Sequence, residues 1–150
     1  SEVHMFSHPT VGFEVKSLSH LFKRRMNAAI ATFPEDGVLP TSTQGYIIGY
    51  LYAHQNEDIF QRDIEQECSI RRSTATGILQ LMEKNGWITR IPVEYDARLK
   101  KIVLTDRSRQ HHERIHATIL QLEALATRGI PPEELDCFYR TVERIKHNLE

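Results

Sequence analysis

The chain has 150 residues, 19 basic and 20 acidic side chains for a formal charge of −1, and two cysteines. That length bounds it to one domain with room for one core, and no apolar run approaches the ~18 residues of a membrane span. No secretory leader is expected, and the cysteines are expected to be buried, reduced thiols in a cytoplasmic protein.

Ser1 to Met5 reads as the remnant of a cleaved tag with Met5 as the native start, which leaves 6–150 as the domain. From Val15 to Thr32 a first helix is expected, with Leu18, Phe22, Met26, Ala29 and Phe33 at steps of three and four. Phe33-Pro34 ends it, because the residue before proline disfavours helix, and Asp36-Gly37 makes a turn. Thr41-Ser42-Thr43-Gln44 is a capping box that starts a second helix, running to about His54. Gly45 and Gly49 lie four apart in it, each costing ~1 kcal/mol relative to alanine. Close approach of another helix is the expected reason, room for a ligand the alternative.

Asp58 to Glu67 and Arg71 to Lys84 read as two short helices joined by Cys68-Ser69-Ile70. In the second, Ile78, Leu81 and Met82 have core-facing spacing. Its opposite, N-terminal side carries the hydrogen-bond donors Arg71, Arg72, Ser73, Thr74 and Thr76. Asn85-Gly86 supplies the left-handed residue that stops this helix. Trp87 to Ile91 and Lys101 to Leu104 then alternate as strands around a charged tip holding Asp96, Arg98, Lys100 and Lys101. A two-stranded ribbon alone is marginal in water, so this one must lean on a core. By itself the tip suits either a phosphate backbone or narrow minor groove, or a solvated turn guarding a sheet edge. Placed directly after two helices with a polar, basic second member, it makes a winged helix-turn-helix.

Thr105 caps a long helix through Ala126, ended by Gly129. Pro131-Pro132-Glu133-Glu134 starts the last, with fixed φ and acids at its positive end. Leu135, Phe138, Val142, Ile145 and Leu149 form its apolar seam. The expected fold is therefore mainly α with a small β-hairpin wing. Residues of about 41–104 would form the reader, and helices at about 13–33 and 105–150 the dimerisation region. Charge supports this division: residues 71–109 hold 9 basic and 4 acidic side chains, while 1–70 hold 5 and 9 and 110–150 hold 5 and 7. Phosphates are neutralised locally, so the positive stretch decides. Its modest size argues for a dimer, which doubles the contacts.

Three stretches carry a family resemblance: the Asp96-x-Arg98 wing tip, Leu104-Thr105, and Met82-Glu83-Lys84-Asn85-Gly86-Trp87-Ile88. With them, Phe13 to Leu149 resembles the MarR-type transcriptional regulators. Arg71 at the recognition-helix cap and Ser108 depart from the family's usual Ser and Gly. The resemblance implies a homodimer on an inverted repeat of double-stranded DNA, with Arg71 to Gly77 in the major groove. Arg98 would reach the minor groove, oriented by Asp96, with Lys100 beside it. It further implies a repressor relieved by a small aromatic or phenolic effector. His20, Arg24, Tyr46, Tyr50 and His111 would line the effector site, although Tyr46 and Tyr50 also read as core tyrosines.

Two alternatives stand beside this. The first is a zinc-responsive sensor using His111, His112 and His116; His112 and His116 are spaced to share a metal, with Glu113 or Cys137 completing the shell. The second is an interaction dimer inactive on DNA. Cys68, near a basic helix start, would have a favoured thiolate, and the first-helix cysteine of the family's peroxide sensors is missing here. No Gly-rich phosphate loop, nucleophile elbow or usable Cys/His pair occurs, so no catalytic residue and no cofactor is expected.

Overall fold

The computed structural model describes residues 9–34 and 37–150. The expected tag remnant and Asp36 of the expected turn lie outside the described residues. The elements run α1 (Val11–Ile30), α2 (Ser42–Ala53), α3 (Gln61–Cys68), α4 (Arg72–Lys84), β1 (Ile88–Val93), β2 (Asp96–Leu104), α5 (Asp106–Ala126) and α6 (Pro132–Leu149). They form two compact units. One comprises Phe33–His116; the other comprises α1 together with Ala117–Glu150.

Local chemistry places most of the boundaries in the first unit. The Thr41 hydroxyl accepts from the Gln44 amide at 3.2 Å while the Gln44 side chain accepts from the Thr41 amide at 3.1 Å, the expected reciprocal box. Losing such a cap costs about 1 kcal/mol. Gly86 ends α4 at φ 78°, a conformation that a Cβ disfavours. Thr105 caps α5 by accepting from the Ser108 amide at 3.2 Å and donates its own proton to the Gly86 carbonyl at 2.7 Å. The Ser108 hydroxyl, fully buried, donates to the Trp87 carbonyl. The Arg107 guanidinium lies 4.0 Å over the Trp87 ring and donates to the Asn85 carbonyl at 2.6 Å. These bonds knit the end of α4 to the start of α5, and Ser108 thereby uses the hydroxyl that a glycine would lack.

Ile47, Ile48 and Leu51 of α2, Ile64 of α3, Leu79 and Met82 of α4, and Trp87, Ile88, Ile102 and Leu104 around the hairpin form one buried core. On α4 the structure corrects the expected core-facing set at Leu81, while Met82 lies in the core and Ile78 is half-buried against it. Ala75, Leu79 and Met82 are all fully buried, whereas Leu81 is 47% exposed. The α2 glycines also divide: a Cβ at Gly49 would meet His112 Cε1 at 3.6 Å, while Gly45 has nothing within 4 Å. Gly49 thus faces α5 at ordinary contact distance and Gly45 faces no neighbour, so close helix packing does not require glycine at either position.

A second correction concerns the start of α3. Asp58 to Phe60 is not helical. The Ile59 carbonyl accepts from the Ile102 amide at 2.7 Å, laying this segment along the outer edge of β2. The helix begins only at Gln61, where the Asp63 carboxylate accepts from the Phe60 amide at 2.8 Å. The ribbon that could not stand alone thus gains an edge partner.

In the other unit, Leu18 and Phe22 of α1, Ala126 of α5 and Leu135, Phe138 and Tyr139 of α6 line an apolar cavity of about 420 Å³. None of its described residues is buried. Val11, Phe13, Val15, Leu21, Ile119, Leu120, Phe138 and Leu149 are exposed. The α6 seam is as expected in spacing, with Leu135, Val142 and Ile145 half-buried. Among the described residues no helix is long and apolar enough to cross a membrane.

Candidate nucleic-acid interface

Two short helices and a tight turn set the angle of α4. Ser69 takes the left-handed conformation (φ 51°) that lets the chain reverse between α3 and α4. Gln61, at the first position of α3, donates from Nε2 to the Thr76 hydroxyl at 2.9 Å and to the Arg72 carbonyl at 3.3 Å. Thr76 in turn donates to the Arg72 carbonyl at 2.9 Å. Its hydroxyl is thus engaged in holding α3 against α4. This tie from Gln61 to α4 is one that sequence spacing alone does not reveal, since its partners lie eleven and fifteen positions away.

With α4 buried through Ala75, Leu79 and Met82, helical geometry of about 100° per residue fixes the opposite face. Ser73, Gly77, Gln80 and Lys84 occupy it, flanked by Thr74 and Leu81, and all are exposed. Of the expected DNA-contacting residues, Ser73, Thr74 and Gly77 are on this face. Arg71 is the helix N-cap without a side-chain cap bond and Arg72 the first residue; both are exposed at the positive end of the helix. Gln80, Leu81 and Lys84 were not anticipated. They follow from the same period once the buried stripe is known.

The wing is the antiparallel pair β1–β2, with Ile88 opposite Leu104, Pro92 opposite Lys100 and a register shift between Pro92 and Val93. Asp96 opens β2. Its Oδ1 accepts from the Arg98 amide at 3.0 Å and from Arg98 Nε at 3.1 Å, and its Oδ2 accepts from Nη2 at 3.2 Å. Those bonds to Arg98 hold the Asp96 carboxyl below its ordinary value, so it stays ionised. The Arg98 side chain is 90% exposed, so a single carboxylate aims a solvated guanidinium outward from the tip. Lys100 is exposed nearby. Lys101 differs: its Nζ lies 3.3 Å from Asp58 Oδ1, which ties β2 to the segment before α3. Arg90 pairs with Glu83 at 3.7 Å and Arg109 with Asp106. Arg71, Arg72, Lys84, Arg98 and Lys100 are therefore the bases that α4 and the wing expose.

The residues expected to line an effector site fall in both units. His20 and Arg24 are exposed on α1. In the reader unit Tyr46 is exposed and donates to Glu67 Oε1 at 2.6 Å, and this bond raises its pKa. Tyr50 is half-buried with its ring 4.3 Å from that of His54. His111 is buried, its ring 5.3 Å from Trp87 and 5.8 Å from Phe33.

Among the described residues no group of three or more His, Cys, Asp or Glu side chains is placed to hold a metal ion. The His112 ring instead packs at 4.3 Å on Tyr52, whose hydroxyl donates to Glu113 at 3.2 Å. Burial pushes the His112 pKa down, helped by His116 and opposed by Glu113. The sign is that of a base kept neutral by folding. The stability it contributes is full above the ordinary histidine value of 6.5 and is lost as pH falls toward the depressed folded-state value. Thermal unfolding followed from about pH 7.5 to about pH 5.5 should show a falling midpoint, and His112→Gln should flatten part of that fall. An unchanged slope in the variant would place the acid sensitivity elsewhere.

Cys68, half-buried, agrees with the expected packed thiol and not with a favoured thiolate, while Cys137 departs from the expected burial. Burial, then the Glu67 charge, raise the Cys68 thiol, so its thiolate is disfavoured, and Cys137 is exposed.

Comparison with known proteins follows the same outline. The profile of the MarR family matches residues 37–99. An uncharacterized HTH-type transcriptional regulator, YybA of Bacillus subtilis (strain 168), is 21% identical over 108 residues, 72% of each chain. Staphylococcus aureus MepR bound to ethidium bromide superposes with a TM-score of 0.75 at 24% identity, covering 95% of this chain and 98% of that one. A MepR–DNA complex gives 0.75 at 24% identity, covering 90% and 96%. The heme sensor protein PefR, in complex with heme and carbon monoxide, gives 0.62 at 25% identity, covering 89% and 88%.

Proposed function

We propose that this chain is a DNA-binding transcriptional regulator of the MarR type, acting as a homodimeric repressor on an inverted-repeat operator. It works by binding and not by catalysis. The observation that carries the reading is the wing: an ionised Asp96 presenting an exposed Arg98, on the same unit as a polar outward face of α4. An arginine held at a hairpin tip suits a narrow minor groove, while α4 suits the major groove beside it. Two readers related by a twofold axis would place their recognition helices about one helical turn (~34 Å) apart.

The dimer rests on the other unit. It has no buried residue among those described, yet exposes apolar side chains along α1, α5 and α6. A second copy of the same helices supplies the missing cover, and such self-complementary patches are the usual basis of twofold dimers. Relief by a flat aromatic effector belongs to the same proposal and draws support from the MepR structure bound to ethidium bromide. Ethidium fluorescence measured with protein alone, without DNA, tests that part.

Selection of bound duplexes from a random pool tests the central claim. An inverted repeat with half-sites about one turn apart is expected. Recovery of no common sequence would leave a folded dimer without the repressor role.

A further inference from the structure

Gly77 has no reason inside this chain to be glycine. It sits in the middle of α4, where glycine costs about 1 kcal/mol relative to alanine. Its φ is not positive. A Cβ placed there would meet no heavy atom within 4 Å. Neither backbone conformation nor packing within the chain demands it; the same holds for Gly45, so what singles out Gly77 is the partner that its surroundings on the outward face of α4 would receive.

The surroundings say what that would be. Gly77 lies opposite the buried Ala75–Leu79–Met82 stripe, at the centre of the outward face. Its helical neighbours are Ser73 and Leu81 at four residues before and after, and Thr74 and Gln80 at three. All four are exposed, so the missing side chain leaves a hole rimmed by four others, the geometry that receives a knob in helix packing. Leu81 makes one wall of this hole apolar. It is 47% exposed on a helix where Leu79 and Met82 are fully buried and Ile78 is half-buried. In the major groove the apolar knob is the C5 methyl of thymine.

We propose that the hole over Gly77 receives a thymine C5 methyl against Leu81, so that α4 reads one A·T pair in each half-site by shape. This rests on α4 being the major-groove element. The bare Cα lets the helix axis approach the base edge, and Leu81 excludes water from the methyl. Ser73, Thr74 and Gln80 remain free to hydrogen-bond to neighbouring edges.

The experiment uses full-length protein and the duplex recovered from the random pool. Each thymine is replaced singly by deoxyuridine, which deletes only the methyl, and binding is measured for wild type, Gly77→Ala and Leu81→Ala. One thymine per half-site should lose roughly fourfold in wild type, the value of one buried methyl. That loss should vanish in Leu81→Ala. Gly77→Ala should bind the unmodified duplex roughly tenfold more weakly, through overpacking of the hole, while its unfolding midpoint stays level or rises. A recovered duplex indifferent to every deoxyuridine, or Gly77→Ala binding like wild type, overturns this inference and leaves the DNA-reading role standing. Recovery of no duplex overturns both.

Discussion

Arg98→Ala should weaken binding to every duplex the protein recognises by about 10- to 100-fold, the equivalent of roughly 1–3 kcal/mol for a lost groove contact. Its side chain is 90% exposed and its only described partner is Asp96, so the unfolding midpoint should not move; exposed ion pairs contribute little to stability. The loss should be nearly uniform over sequences, because a minor-groove arginine senses groove width and potential more than base identity. Removing a cation from each wing should also flatten the salt dependence by about one unit of slope per protomer. Two further variants separate charge from aim. Arg98→Lys keeps the charge but loses the planar fork that meets Asp96 through Nε and Nη2. Asp96→Asn keeps the arginine and removes the carboxylate that orients it. Both should fall between wild type and Arg98→Ala. Affinity and salt slope that match wild type in Arg98→Ala would remove the wing from the interface.

Leu79→Ala and Leu81→Ala should differ more than any other neighbouring pair in the chain. Leu79 is fully buried among the residues of the reader core. Truncation there removes about 2–5 kcal/mol through lost burial and the cavity left behind, lowering the unfolding midpoint by roughly 4–20 °C. Leu81 is 47% exposed on the opposite side, and its truncation should change stability by no more than about 0.5 kcal/mol. The functional effects should be inverted. Leu81→Ala should retain a well-folded protein with altered preference at one base pair, and Leu79→Ala a weakened protein whose remaining folded fraction prefers the same sequence. Equal destabilisation by the two would mean that α4 is rotated about its axis, which would move Gly77 and Ser73 off the outward face as well.

What the sequence by itself determined about this protein is whatever depends on residues no more than four positions apart. The Thr41–Gln44 box, the Gly86 stop, the Thr105 cap on Ser108 and the Asp96–Arg98 fork are all of this kind. Each needs a few named side chains at a fixed offset, so residue order alone specifies it, and together they mark out the helix-turn-helix and its wing. The exposed bases of α4 and the wing were equally readable, because a solvated charge requires no distant partner.

Only the tertiary structure decided which face of each element turns inward. The expected stripe Ile78, Leu81 and Met82 and the buried residues Ala75, Leu79 and Met82 share Met82; the centre falls on Leu79 and not Leu81 because Ile47, Ile48 and Ile64, remote in sequence, join one core with Leu79 and Met82. Asp58 to Phe60 has helical composition, yet Ile59 is drawn into extended pairing by Ile102, forty-three residues on. Separation in sequence likewise hid the Gln61–Thr76 bond, fifteen residues apart, and the burial that raises the Cys68 thiol. Short-range hydrogen bonds are written in adjacent letters. Burial is settled by whichever apolar surface the fold brings near, and no local pattern carries that information.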